Sequence, residues 1–128
     1  MSKEKVEGYL INLDYNYNEV GQNSWIINDQ DKGLEQVIIV LEDPLVIVRV
    51  KVMDLPASNH EELFKKLLEL NASDLLHGAY ALEGNNVILI DTLQQDTMDM
   101  EDFQSSLDGV GLALAQHYPI LSKFRDNG

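Results

Sequence analysis

The sequence predicts an α+β domain in which helices pack on an antiparallel sheet. Apolar residues recur at helical spacing in three segments, and runs rich in β-branched residues lie between them. The connections joining those runs are short enough to make antiparallel hairpins.

Val6, Tyr9, Leu10 and Leu13 fall at i, i+3, i+4 and i+7 and predict a helix over residues 2–14. Gly8 inside it costs about 1 kcal/mol relative to alanine. Residues 15–23 are polar, with asparagine at 16, 18 and 23, and read as a loop. Three strand-like runs follow. The first, residues 24–28, carries Trp25, Ile26 and Ile27. A polar turn over residues 28–33 leads to the second, residues 34–41, apolar at every position from Val37 to Leu41. Glu42-Asp43-Pro44 makes a tight connection to residues 45–53. There Val46, Val48, Val50 and Val52 share one face, and Leu45, Ile47, Arg49 and Lys51 share the other.

Ser58-Asn59-His60-Glu61 fits the S-x-x-E capping box, in which serine accepts from a backbone N–H three residues on and glutamate reaches back. The helix it opens has Leu63, Leu67 and Leu70 on one stripe, with Phe64 and Leu68 beside them, and ends at Asn71 or Ala72. Residues 75–82 and 87–93 read as strands joined by Glu83-Gly84-Asn85-Asn86, a hairpin turn of residues that tolerate positive φ. A last helix begins near Thr97 or Asp99, where Asp99, Glu101 and Asp102 suit the positive helix end. Phe103, Leu107, Val110 and Leu114 continue it, Pro119 disturbs or ends it, and the polar tail after Phe124 frays. No repeat, low-complexity tract or linker interrupts the order α-β-β-β-α-β-β-α, so residues 1–128 read as a single domain.

The 22 acidic residues outnumber the 9 basic ones, for a net charge of −13. Such a surface repels phosphate backbones and anionic membranes, which argues against nucleic acid and membrane as partners. It aids solubility and suits a partner with basic segments. The cysteine-free chain has no disulfide framework and no thiolate nucleophile. Its charged start lacks a signal core and no apolar run approaches a membrane span, so the expected location is the cytoplasm.

No residue stands out as catalytic, and no cofactor or metal is implied. His60, His77 and His117 lack metal-binding spacing. His60 fits an exposed first helical turn, His77 a strand and His117 a helix end. The segment from Asp29 to Glu35 has acids, but its glycine arrives one place early for a calcium loop, and a hairpin turn explains it better. Gly109 and Gly111 lie in a helical stretch without strand context and permit close packing.

A sheet wetted on one side alternates apolar and polar residues. Residues 37–41 and 45–48 are instead apolar throughout, so both faces of these strands are dry, covered either by the protein's own helices or by another chain. The candidate partner-binding residues are Ile38, Val40, Leu45 and Ile47.

Leu67-Leu68-Glu69-Leu70-Asn71 ends a helix, Gly78 opens the strand Ala79-Tyr80-Ala81-Leu82, Val87-Ile88-Leu89-Ile90 answers it, and an acid-led helix follows. This succession, with the preceding helix and strands, resembles the YbjN-like and type III secretion chaperone-like superfamily, the Tir-chaperone fold. The resemblance spans nearly the whole chain and rests on element order and spacing around a Leu-x-x-Asn motif. It implies a small acidic homodimer that holds a partly unfolded protein client over apolar grooves. A regulatory adaptor acting on a folded partner is the alternative, with a small-ligand binder or cryptic enzyme behind it.

Overall fold

Six antiparallel strands form one sheet in the order β1-β2-β3-β4-β6-β5. The computed structural model describes residues 2–125; residues 126–128 of the expected frayed tail lie outside them. Along the chain the elements are α1 (Ser2–Asn12), β1 (Tyr17–Gly21), β2 (Ser24–Asp29), β3 (Leu34–Glu42), β4 (Leu45–Asp54), α2 (His60–Ser73), β5 (Ala79–Glu83), β6 (Asn86–Gln94) and α3 (Met100–Leu121). A single 3-10 turn, Gln30–Lys32, joins β2 to β3, and a second, Ser122–Phe124, follows α3. Among the described residues no helix is long and apolar enough to cross a membrane.

The α+β architecture is as expected, with one strand more. The segment expected as a loop contains β1, which pairs with β2 from Tyr17↔Ile27 to Gly21↔Ser24. This edge strand buries little: Tyr17 leans on the core, and Glu19 pairs with Lys3 of α1 at 2.7 Å. A strand without apolar alternation leaves no period-two signature in the sequence.

All three helices lie on one face of the sheet. That face presents Trp25, Ile27, Val37, Ile39, Val46, Val48 and Leu89, which join Val6 and Leu10 of α1, Leu63, Leu67 and Leu70 of α2, and Phe103, Leu107 and Val110 of α3 in one buried cluster. Each helix also makes a polar link to the same face. Trp25 Nε1 donates to Glu7 of α1 at 3.2 Å, and Ser106 of α3 donates to Asp91 of β6 at 2.7 Å. Asn71 of α2 uses its whole side-chain amide: Oδ1 accepts from the backbone N–H of Tyr80 at 2.7 Å, and Nδ2 donates to its carbonyl at 3.2 Å. This is the asparagine of the Leu-x-x-Asn motif, and its physical task is to fasten the end of α2 to strand β5.

Four local expectations are corrected. The capping box at Ser58 does not form. The helix starts one residue late, with Asn59 at the N-cap in a left-handed conformation (φ 63°) and without a side-chain cap, so Ser58 and Glu61 are out of register with the motif. His60 is half-buried rather than exposed; its Nε2 meets the Pro56 carbonyl and its ring stacks on Phe64 at 5.6 Å. Along β4 a bulge between Lys51 and Met53 breaks the alternation, so the buried position after Val50 passes to Met53 and Val52 is left half-buried. His77 is not in a strand. It is exposed just before β5, against Gly109, where an added Cβ would sit 3.3 Å from its ring.

The start of α3 is built as its acids suggest. Asp99 accepts from the Asp102 N–H at 2.8 Å, and Asp102 accepts from the Asp99 N–H at 3.0 Å, a reciprocal cap. Pro119 lies in the last turn and the helix runs on to Leu121. Gly111 permits close packing as expected, since a Cβ there would come within 3.1 Å of the Lys32 carbonyl. Gly78 is required by its backbone: φ is +80°, and a Cβ would meet the Ile90 carbonyl at 2.6 Å. The Asp43–Pro44 peptide of the β3–β4 turn is cis.

Candidate protein-interaction face

With the helices on one side, the other side of the sheet has no cover from any helix or strand among the described residues. The strand registers place Ile38 between Ile26 and Arg49, and Val40 between Ser24 and Ile47. Ile47 continues to Thr92, and Leu45 lies between Glu42 and Gln94. Thus Ile38, Val40, Leu45 and Ile47 share this face. All four are half-buried and none belongs to the core cluster or packs against it. Their neighbours along each strand, Val37, Ile39, Val46 and Val48, are fully buried on the helical side. Of the two covers considered for these strands, the protein's own helices supply only one, on the opposite face.

The same face carries Ile26 of β2 and Ile88 and Ile90 of β6, which sequence reasoning did not select. The signal was the one that marked β3: Trp25-Ile26-Ile27 and Val87-Ile88-Leu89-Ile90 are also apolar at successive positions, and a strand that is apolar on both sides has a non-core face to explain. Ile26, Ile38 and Ile90 lie in one row across the sheet, interrupted only by Arg49. Exposed apolar side chains on the helical side, such as Leu68, Leu76, Leu112 and Tyr118, are dispersed over α2, α3 and the loop between α2 and β5.

The buried polar groups belong to the framework. His117 of α3 is 2% exposed, its Nδ1 lies 2.6 Å from the Tyr80 hydroxyl, and its Nε2 faces the Asp74 carboxylate at 3.6 Å. Burial pushes the Tyr80 phenol up to about 12, so the hydroxyl stays protonated. Because the Asp74 carboxylate facing Nε2 can only accept, the tautomer that suits both neighbours has its proton on Nε2 and the hydroxyl donating to Nδ1.

Asp14 after α1, Asp29 at the end of β2, Asp31 and Lys32 of the turn, and Glu35 of β3 line an open cleft of about 760 Å³. Asp29 there acts as a clasp. It accepts from the Asn16 N–H at 3.1 Å and pairs with Lys32 at 3.3 Å, and the Asn16 hydrogen bond first, then Lys32, holds its carboxyl below the usual range. Among the described residues no group of three or more His, Cys, Asp or Glu could hold a metal ion.

The architecture recurs in solved structures. YbjN from E. coli is 15% identical, with a TM-score of 0.67 over 91% of this chain and 90% of that one. The type III secretion chaperone SycH of Yersinia pestis, solved in complex with a fragment of YscM2, is 12% identical, with a TM-score of 0.65 over 91% and 98%. A chain of the heterodimeric ExoU–SpcU complex from the type III secretion system of Pseudomonas aeruginosa is 10% identical, with a TM-score of 0.64 over 89% and 95%. No curated protein is significantly similar to the chain in sequence. The fold is that of YbjN and the type III secretion chaperones, and, since the CesT_Tir_1 family model matches residues 1–127, the chain belongs to the CesT_Tir_1 family.

Proposed function

We propose that this chain is a non-enzymatic protein-binding module of the secretion-chaperone kind, a cytoplasmic homodimer that holds a segment of a protein client. The observation that carries the reading is the aliphatic face of Ile26, Ile38, Val40, Leu45, Ile47 and Ile90, which the chain's own helices leave uncovered. Contiguous apolar surface of this kind marks interaction sites in soluble proteins. Membership of the CesT_Tir_1 family supports it, as does the likeness to SycH, solved with a protein bound. The net charge of −13 keeps such a surface soluble and favours clients with basic flanks.

Ile38→Asp and Ile47→Asp test it. Each should abolish dimerisation or client capture, read by light scattering and by suppression of aggregation of an unfolded protein, while far-UV circular dichroism stays unchanged. A wild-type chain that is monomeric at high micromolar concentration and suppresses no aggregation would sink the proposal. Likeness to YbjN, described as a candidate transcription regulator, favours a second reading, an adaptor that contacts one folded partner. Capture of a folded protein without any suppression of aggregation would select it.

A further inference from the structure

On the open face, Ile88 and Ile90 are two residues apart on β6 and point the same way, yet Ile88 is only 5% exposed while Ile90 is half-buried. The helices do not account for the difference, because they lie on the other side. Lys51 stands directly opposite Ile88 on β4, but its ammonium turns along the strand to Asp54 at 2.6 Å. On β5 the residue opposite Ile88 is Ala81, too short to cover it.

Arg49 is opposite Ile90, and Glu83 is opposite Asn86, so each is a diagonal neighbour of Ile88, from β4 and from β5. Their side chains form an ion pair. A line joining these two positions crosses β6 over Ile88. Diagonal cross-strand neighbours lie about 7–8 Å apart, within reach of long side chains. The methylene stem of an arginine packs on apolar surface while its head stays hydrated.

We propose that the Arg49–Glu83 ion pair is a strap across β6 that covers Ile88 and shortens the apolar face of the free protein until a partner displaces it. This rests on reading the open face as an interaction surface. Glu83, at the exposed end of the edge strand, can return to water when the strap opens. Ile88 and Ala81 then extend the apolar patch of Ile38, Val40, Ile47 and Ile90 by one further row. An exposed ion pair is weak enough to be exchanged for partner contacts.

The neutral apolar dye Nile red, applied to the full chain, tests the strap. Glu83→Gln, Glu83→Ala and Arg49→Ala should each raise dye binding about two- to fivefold, the range over which an exposed ion pair can shift an opening equilibrium. Ile38→Asp, in the row beside the strap, should lower it. Thermal midpoints recorded alongside identify any variant that loosens the whole fold, and Glu83→Gln keeps the side chain's size should the alanine variants do so. If the three strap variants bind dye like the wild type while Ile38→Asp binds less, the strap is overturned and the open face stands. If Ile38→Asp leaves dye binding unchanged, the open-face reading fails and the strap falls with it.

Discussion

The Tyr80 hydroxyl lies 2.6 Å from His117 Nδ1, joining β5 to α3 inside the core. With the hydroxyl donating, the imidazole proton is on Nε2, facing the Asp74 carboxylate 3.6 Å away at the end of α2. One histidine therefore bonds α3 to β5 and faces the end of α2 without a hydrogen bond to it. Tyr80→Phe leaves Nδ1 buried without a partner and should cost about 1–3 kcal/mol in urea unfolding. Removing both polar partners in Tyr80→Phe/His117→Leu should cost less than the sum of the single changes, with a coupling above about 0.5 kcal/mol. Strict additivity would show that the pair carries no mutual interaction.

Alkaline titration should single out two tyrosines. Burial pushes Tyr80 up to about 12, and burial, aided by Asp108 and Asp29, does the same for Tyr15. In the unfolded chain a tyrosine ionises near about 10. Between these values the unfolded state binds fewer protons, so stability falls as pH rises from about 10 through about 12. Phenolate absorbance of the folded protein should show a late component that Tyr15→Phe and Tyr80→Phe each diminish. Its absence before unfolding would contradict the burial of both rings.

Two helical glycines should respond with opposite sign. Nothing stands within 4 Å of a Cβ added at Gly8 in α1, so Gly8→Ala should stabilise by about 0.5–1 kcal/mol. At Gly111 the same methyl meets the Lys32 carbonyl at 3.1 Å and the Leu34 side chain at 3.4 Å. Gly111→Ala should therefore lower stability by about 1 kcal/mol or more. A stabilised Gly111→Ala would mean that the turn at Gln30–Lys32 gives way freely.

Adjacent isoleucines on β3 should separate the two sides of the sheet. Ile39 is fully buried under the helices, so Ile39→Asp places an unpaired charge in the core and should abolish folding at room temperature. Ile38 is half-buried on the open side, and Ile38→Asp should cost no more than about 1 kcal/mol. Circular dichroism melts of the two variants decide this, and equal loss of structure in both would show that the open side is not open.

Much of this arrangement was legible in the sequence because burial leaves a periodic trace. The stripes through Leu63, Leu67 and Leu70 and through Phe103, Leu107 and Val110 located two helices, and all six residues lie in the core. Alternation in residues 45–53 assigned Leu45 and Ile47 to the face opposite Val46 and Val48, where the structure has them. What escaped had no such trace. Strand β1 is polar and at an edge. The bulge at Lys51–Met53 exchanges the roles of two apolar residues without altering the pattern of residue types. The start of α2 turned on one residue of register, which the motif does not encode. Ile26, Ile88 and Ile90, by contrast, lie in runs apolar on both sides, the same trace that marked Ile38 and Val40 on β3, and were legible by that rule though not selected by it.

The Asn71 clamp also gives the sheet a direction. Sheets grow by hydrogen bonding at their edges, and this one ends in β1 on one side and β5 on the other. At Tyr80, the second residue of β5, both free backbone groups are already occupied by the asparagine amide. Among the described residues β1 has no counterpart to this plug. A strand arriving from another chain finds one sealed selvedge and one unfinished hem, so extension of the sheet is steered to the side of α1.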